Sequence, residues 1–287
     1  MSLKEVKQRI QSVKTTLKIT SAMKLVSAAK LHRTQRAIEG VRPYQRKLDS
    51  IFSAFIAGLN DDNIYTKKRE VKRVALVAVA SNSTMCGSFN SNVLRLLRSI
   101  VNEYSASGVA VELYVVGKKA DEAARQIGVN PDRSLLAQAG APEYRAVADV
   151  ANALMGRFVA GELDKVELVY TLYCSASKQQ PVKEQFLPFD VSTPLSGGVT
   201  TLSPDYIIEP GKEDLLNALL PKVIALRLYT ALLDSAVAEH AARMVAMQVA
   251  TENANDLISE LTLEYNKGRQ QEITSELQDI IAGSAGR

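Results

Sequence analysis

The segment most suggestive of chemistry spans residues 81–90 (SNSTMCGSFN), between an apolar run and a predicted helix. A glycine-containing turn after a strand can surround a phosphate with backbone N–H groups at the start of the next helix. This turn contains only Gly87, and it lacks both the GxxxxGK[ST] cradle and the GxGxxG fingerprint. We therefore predict a structural turn that binds neither a nucleotide nor a cofactor.

Nucleophilic and metal chemistry are predicted to be absent as well. Cys86 lies in the turn, but a thiol nucleophile needs a base, and the two histidines, His32 and His240, lie on the predicted terminal helices. Cys86 is therefore expected to be a buried, inert thiol. Cys174 is far away and there is no CxxC pair, so the sequence predicts no catalytic residue, disulfide framework or metal site.

The elements around the turn begin and end with helices. Residues 1–58 and 210–287 are predicted to form an N-terminal and a C-terminal coiled-coil helix, and residues 72–208 an α/β domain. In the first helix Leu3, Val6, Ile10, Val13 and Leu17 alternate in steps of 3 and 4, and then Ile19, Ala22, Val26 and Ala29 predict a stutter. In the last helix Met247, Ala250, Ala254, Leu257 and Leu261 form a matching seam.

Between these helices, short apolar runs alternate with segments of helical spacing. Strands are predicted at 74–79, 109–116, 166–174 and 182–189, and helices at 88–104, 118–127 and 143–159. This alternation indicates an α/β fold class with a Rossmann-like, mostly parallel sheet. The longest uncharged stretch, residues 74–94, is interrupted by serine, threonine and asparagine, so no membrane-spanning helix is predicted.

Positive charge is concentrated in the first helix. Residues 1–47 contain 12 lysines and arginines but only two glutamates, whereas the whole chain has a formal charge of +4. Such a basic helix suits nucleic acid, a membrane surface or acidic protein loops, and charge alone does not choose among them.

The two ends resemble the gamma subunit of F-type ATP synthase, of the bacterial type. The resemblance lies in residues 18–30 (KITSAMKLVSAAK) and 42–44 (RPY), and in residues 241–251 (AARMVAMQVAT) and 265–274 (YNKGRQQEIT). The middle resembles the family less, because the turn that usually reads SDxGLCGxxN has asparagine and threonine where the acid and the first glycine stand. The insertion with a regulatory cysteine pair, known from chloroplast relatives, is absent.

The resemblance implies a fold and a function. The terminal helices would form a long antiparallel coiled coil, bent near residues 39–43 at Pro43, with the α/β domain at its foot. The chain would be the non-catalytic rotor shaft that couples proton flow to ATP synthesis or hydrolysis. One copy would meet three alpha and three beta subunits, an epsilon subunit and a membrane rotor ring, peripherally at the cytoplasmic face of a bacterial inner membrane.

The resemblance also implies contact residues. Those expected to face the beta subunit are Met23, Lys24, Lys30, Arg269, Gln270 and Thr274, with Met23 and Lys24 near the Arg269 region of the antiparallel helix. Those expected to face the membrane ring are Arg42, Tyr44, Tyr206 and Glu209. An apolar bearing tip is expected at Ile273, Leu277, Ile280 and Ile281.

A second hypothesis fits the basic helix without the resemblance. The chain would be a basic coiled-coil module that binds nucleic acid or an anionic membrane, with the middle domain as a spacer. It predicts tight, steeply salt-dependent binding to polyanions. No nucleic-acid-reading motif and no interleaved aromatic residues accompany the basic run, which disfavours this hypothesis.

Overall fold

The computed structural model describes residues 2–56, 65, 69–189 and 211–285. It has a long helix at each end, α1 (Leu3–Ile56) and α5 (Lys212–Ala285), as the sequence predicts. A capping box starts α1: Ser2 N donates to Glu5 Oε2 at 2.9 Å, and Glu5 N donates to Ser2 Oγ at 3.3 Å. These two bonds satisfy N–H groups that a helix start would otherwise leave without acceptors.

Each long helix continues through an internal proline, Pro43 in α1 and Pro221 in α5. A proline inside a helix removes one hydrogen bond and costs about 3 kcal/mol. Buried side chains near each proline, Leu48 in α1 and Leu220 in α5, belong to one hydrophobic core, and this packing offsets the cost. The bend near residues 39–43 stays a prediction.

A four-stranded sheet occupies the middle of the chain. Its strands are β1 (Arg73–Val79), β2 (Ala110–Val116), β3 (Lys165–Tyr173) and β4 (Gln179–Leu187), and its helices are α2 (Phe89–Ala106), α3 (Lys118–Ile127) and α4 (Tyr144–Val159). The strand order is β2-β1-β3-β4, with β1 parallel to β2 and β3, and β4 antiparallel to β3. The mostly parallel sheet is therefore confirmed.

The two faces of the sheet bury different clusters. Ala75, Val77 and Val79 of β1 point to a core shared with α4, α5 and the later part of α1. Val74 and Leu76 point to a core shared with α2 and α3. Because both faces are covered, β1 is an almost uninterrupted apolar run, as expected for a parallel strand.

The described chain divides into two compact units. Residues 1–27 and 243–287 form the first, here called the coiled-coil unit, and residues 28–242 form the second, here called the sheet unit. The sheet unit thus includes parts of α1 and α5 together with the sheet. The division into domains at 58, 72, 208 and 210 stays a prediction.

Candidate partner-binding surfaces

One stripe of α1 is shielded from solvent. Its fully or half-buried residues are Leu3, Val6, Ile10, Val13, Leu17, Thr20, Lys24, Ser27, Leu31, Thr34, Ile38, Val41, Gln45 and Leu48. The steps alternate between 3 and 4 throughout, so the predicted stutter is wrong, and Ile19 and Val26 are each 55% exposed. The stripe accepts Thr20, Ser27 and Thr34 because each hydroxyl bonds to a carbonyl of its own helix.

Two polar contacts join α1 and α5 within the coiled-coil unit. Thr251 Oγ1 donates to Thr20 Oγ1 at 3.0 Å, and Lys24 Nζ donates to Gln248 Oε1 at 2.6 Å. From the first contact to the second, the residue number increases along α1 and decreases along α5. The two helices are therefore antiparallel, as predicted. Polar pairs at otherwise apolar positions fix the register of a coiled coil, because a shift would leave them unsatisfied.

Gly268 lies where α5 meets the start of α1. A Cβ atom at Gly268 would lie 2.9 Å from Leu3 Cδ2, so the two helices approach closely here and a larger residue would displace the Leu3 side chain. Arg269 is therefore beside the first turn of α1, about 30 Å along α5 from the contact of Lys24. The expectation that Met23 and Lys24 lie near Arg269 is wrong, because the antiparallel register pairs them with different stretches of α5.

The beta-contact candidates of α1 differ in exposure. Met23 and Lys24 are half-buried, and Lys30 is exposed. The Lys24 ammonium is held by Gln248, whose Nε2 in turn donates to Glu252. Lys24 therefore helps to hold the two helices together.

The candidates of α5 lie on the part that passes the start of α1. Arg269, Gln270 and Thr274 are all exposed, and Thr274 Oγ1 donates to the Gln270 carbonyl at 2.8 Å. The four residues of the proposed bearing tip, Ile273, Leu277, Ile280 and Ile281, are exposed as well. Apolar side chains at such spacing on an exposed helix mark a surface that a partner can cover.

Sequence reasoning missed a second apolar surface on α1. Leu25 is 67% exposed, and it lies beside the exposed Ile19 and Val26 on the side of α1 away from the seam. The sequence does contain a signal for this surface: a strict 3-4 alternation continued from Leu3 along the seam does not include these three residues. A single sequence read for periodicity assigned two of them to the seam because they are apolar.

The ring-contact candidates fall into two groups. Arg42 Nη2 lies 3.7 Å from Asp234 Oδ1, and Tyr44 is 57% exposed. Tyr206 and Glu209 lie outside the described residues.

Asp234 belongs to a charged network under Arg42. Burial raises the pKa of its carboxyl to about 6, Arg42 opposes the rise and Glu184 adds to it. Glu184 is held by Arg227 at 2.6 Å and accepts a hydrogen bond from the Tyr170 hydroxyl at 2.6 Å. Burial and the nearby Glu184 carboxylate also raise the pKa of Tyr170. These groups join α1 and α5 to the sheet within the sheet unit.

The turn after β1 is organised by Asn90. Its Oδ1 accepts from Ser81 N at 3.1 Å, and its Nδ2 donates to Ser81 Oγ at 2.8 Å. Asn90 Nδ2 also lies 3.2 Å from the Cys86 sulfur, which is buried as predicted. The thiol thus packs inside the turn, and no metal-binding cluster of histidine, cysteine and acidic residues occurs among the described residues.

Asn82 stands where the family usually has an acid, and its amide serves as donor and acceptor. Its Oδ1 accepts from Lys118 N at the start of α3 at 3.2 Å, and its Nδ2 donates to the Ala139 carbonyl at 3.4 Å. A carboxylate could make only the first bond, because it has no donor when ionised. The turn is therefore ordered by a different hydrogen-bond pattern from the one an acid would give.

Within its described parts, the chain has no helix that is long and apolar enough to cross a membrane.

Comparison with known proteins gives the same family along the whole chain. The model of a family described as ATP synthase matches residues 2–286. The ATP synthase gamma chain of Bacteroides thetaiotaomicron is 47% identical over 296 residues, with 99% of each chain covered. That of Bacteroides fragilis strain ATCC 25285 is 48% identical over 289 residues, again with 99% of each chain covered.

A solved structure shares the fold. It is a chain of the Euglena gracilis mitochondrial ATP synthase, from the cryo-EM structure of OSCP, F1 and the c-ring in rotational state 3. The similarity covers 99% of this chain and 94% of that one, with a TM-score of 0.65 and 21% identity.

Proposed function

Because this chain belongs to the family of ATP synthase gamma chains, we propose that it is the central rotor shaft of an F-type ATP synthase. The observation that carries the proposal is the antiparallel helix pair of the coiled-coil unit, whose α5 continues past the start of α1 with its side chains exposed. A shaft needs a protruding end that a surrounding ring can enclose. The shaft would couple proton flow through a membrane ring to ATP synthesis or hydrolysis at the beta subunits.

The surface of the helix pair is suited to act on surrounding subunits by direct contact. It combines exposed apolar residues with cationic ones, and these groups differ from one side of α1 to the other. Leu25 and Val26 face solvent, whereas Met23 and Lys24 are half-buried against the seam. An asymmetric shaft of this kind presents different surfaces to each beta subunit as it turns, and so it can favour a different nucleotide affinity at each site.

We propose that the residues that transmit torque to beta (the drive) and the apolar tip (the bearing) lie on different parts of the coiled-coil unit. Met23, Lys24 and Lys30, and separately Arg269, Gln270 and Thr274, would contact beta. The tip at Ile273, Leu277, Ile280 and Ile281 would turn in an apolar sleeve, because apolar contact is non-directional and does not require fixed hydrogen bonds. One copy of the chain would serve three alpha and three beta subunits, together with an epsilon subunit.

A further contact, with the membrane rotor ring, would be made through Arg42, Tyr44, Tyr206 and Glu209. Tyr44 supports this role because its ring is exposed on α1. The chain would then be a peripheral component at the cytoplasmic face of a bacterial inner membrane. Crosslinking from cysteines at Tyr206 or Glu209 to polar loops of the ring tests this assignment, and crosslinking only to alpha would refute it.

The chain itself would not catalyse. Its sequence has no phosphate cradle of the known types, and its turn at residues 81–90 is held together by its own side chains. The isolated chain should therefore hydrolyse no ATP, and activity should appear on assembly with alpha and beta. Hydrolysis by the pure chain, sensitive to substitutions in the chain, would contradict this.

Rotation itself gives the direct test. Cys174 is exposed and Cys86 is buried, so a thiol-reactive probe placed on the isolated chain before assembly labels mainly Cys174. The complex with alpha and beta is then fixed to a surface through the alpha or beta subunits. ATP should drive stepwise rotation of the probe in one direction, and a probe that stays fixed while the complex hydrolyses ATP would reject the proposal.

The relatives give no support to the alternative of a module that binds nucleic acid or anionic membrane. That alternative predicts tight binding of the isolated chain to polyanions, falling steeply with salt. The rotor proposal predicts that co-purification with ATPase subunits persists at salt concentrations that remove nucleic acid.

A further inference from the structure

An ion pair joins the two long helices within the sheet unit, where α1 continues through Pro43. It consists of Arg42 on α1 and Asp234 on α5, with 3.7 Å between Arg42 Nη2 and Asp234 Oδ1. This distance is too long for a hydrogen bond. Asp234 Oδ1 is buried and has no hydrogen-bond donor in the part of the chain that the structure describes. The pair is therefore held by charge alone.

The other groups around Asp234 are already committed to one another. Glu184 of β4 accepts from Arg227 Nε at 2.8 Å and from the Tyr170 hydroxyl of β3 at 2.6 Å. Among the described residues, the groups that act on the Asp234 carboxyl are thus Arg42 from α1, and Glu184 and Tyr170 from the sheet. Arg227, on the same helix as Asp234, is paired with Glu184. Only Arg42 remains to balance the charge of Asp234.

This environment favours the neutral form of Asp234. A carboxylate that is buried, lacks a hydrogen-bond donor and lies near a second carboxylate takes up a proton more readily than one in water. Burial and then Glu184 raise the pKa of Asp234 to about 6, against the opposing effect of Arg42. The carboxyl therefore changes its charge between about pH 5 and pH 7.

Proton uptake removes the attraction that holds Arg42. No hydrogen bond joins the two side chains, so nothing else in the pair retains the guanidinium once Asp234 is neutral. The Arg42 side chain is already 47% exposed, and it can move into solvent without opening the core. The helices themselves stay together, because Leu48 of α1 and Leu232 of α5 are buried in the same apolar core, whose packing does not depend on pH.

We propose that Arg42 and Asp234 form a proton-sensitive contact between α1 and α5, closed when Asp234 is ionised and open when Asp234 is protonated. In the open form the Arg42 guanidinium is available to a carboxylate outside the chain. The contact is a property of the isolated chain. It therefore stands or falls separately from the proposed rotor function and from the proposed meeting of Arg42 with the membrane ring.

Nuclear magnetic resonance of the full-length chain, labelled in its arginine and aspartate side chains, tests the contact. The carboxyl carbon signal of Asp234 reports its protonation, and the heteronuclear NOE of the Arg42 Nε–H group reports how firmly the guanidinium is held. Between pH 7 and pH 5 the carboxyl should titrate with a midpoint near 6. The Arg42 NOE should fall with the same midpoint. Arg46, an exposed arginine one turn further along α1, is the internal control and should not respond.

Three variants separate the causes. Asp234→Asn should leave Arg42 as mobile at pH 7 as it is at pH 5 in the unchanged chain. Arg42→Gln should raise the midpoint of Asp234 by about one pH unit, because it removes the opposing cation, and Glu184→Gln should lower it by a similar amount. The matched control Arg46→Gln should leave the midpoint unchanged.

The titration of the unchanged chain is decisive even if a variant fails to fold. A midpoint near the ordinary value of 3.8 would overturn the proposal, and so would an Arg42 NOE that does not follow the protonation of Asp234. An Arg42 signal that is already mobile at pH 7 would show that the contact never closes. An unchanged midpoint in Arg42→Gln would show that the two side chains are not coupled.

Discussion

Asp234 shows at the scale of one residue how burial changes a charge. Its pKa of about 6 in the folded protein lies above the ordinary value of 3.8, so the folded chain binds a proton between about pH 4 and pH 6 that the unfolded chain releases. This group therefore makes the protein more stable as the pH falls from 7 towards 4. At pH 7 the buried charge costs stability, partly offset by Arg42.

The substitution Asp234→Asn should remove that cost. We expect the free energy of unfolding at pH 7 to rise by about 1 to 3 kcal/mol, since one pKa unit corresponds to about 1.4 kcal/mol. Urea unfolding at pH 5, 6 and 7 measures the change, and the gain should shrink at pH 5. Asp149→Asn, on the exposed side of α4, is the matched control. A gain that is the same at all three pH values would contradict the assigned cause.

Arg269 is the second residue whose role can be isolated. A guanidinium can bind a partner carboxylate through two parallel hydrogen bonds, and truncating one member of such a pair in an interface costs about 2 to 5 kcal/mol. Arg269→Ala should therefore lower ATPase turnover or assembly with beta at least tenfold. Lys267→Ala, which removes an exposed cation two residues earlier, should change either far less.

Equal effects of Arg269→Ala and Lys267→Ala would reject the contact with beta. Arg227 would be a poor control, because it is largely buried, pairs with Glu184 at 2.6 Å and lies over the Phe189 ring. Its removal would disturb the fold. The sequence alone does not show that Arg227 is buried and paired, so the structure is needed to choose a suitable control.

At the scale of elements, the seam of α1 can be tested by comparing two leucines. Leu31 is 8% exposed and belongs to the seam, whereas Leu25 is 67% exposed and lies outside it. Leu31→Ala should lower the free energy of unfolding by about 2 to 4 kcal/mol, because it removes buried methyl groups and leaves a cavity. Leu25→Ala should change it by less than about 0.5 kcal/mol. Chemical unfolding of both variants measures the difference, and similar losses would contradict the placement of Leu25 outside the seam.

The elements of the middle domain were predictable because their signals are local. Helix α3 has the predicted bounds of 118–127, since Gly117 and Gly128 both have positive φ and flank it. The apolar runs likewise predicted β1 to β3, since strands covered on both faces must be apolar throughout. The seam of α1 was only half predicted, because the burial of Thr20 and Ser27 depends on the partner helix, and apolar character alone does not show that Ile19 and Val26 are exposed.

At the scale of the whole molecule, the pairing of the two ends was predictable and its register was not. Complementary seams at both ends indicate that α1 and α5 pair. The stagger is fixed by individual contacts, such as Lys24 with Gln248 and Leu3 with Gly268, which periodicity does not reveal. For this reason the contact candidates near Met23 and near Arg269 form two separate surfaces. The contribution of each surface to torque can therefore be tested by separate substitutions.

The last prediction separates the drive from the bearing. Met23 is half-buried beside Lys24, whose ammonium already bonds to Gln248, so Met23→Lys adds a second cation next to an occupied one. The new charge must be paired by beta or remain partly desolvated at each step of rotation, and a contact of about 1.4 kcal/mol changes a rate tenfold. We expect Met23→Lys to reduce proton pumping per ATP hydrolysed, and deletion of residues 282–287 to reduce it less, because apolar contact by the remaining tip is non-directional.

Measurement of ATP hydrolysis and proton pumping in membrane vesicles containing the assembled complex gives this ratio for each variant. Ser12→Lys is the matched control, because it adds the same charge at an exposed position of α1. It should leave the ratio unchanged, since Ser12 is outside the seam and about 16 Å along the helix from Met23. If the deletion abolished pumping while Met23→Lys left it intact, the torque would pass through the tip, and the apolar residues from Ile273 to Ile281 would act as a clamp on the surrounding ring.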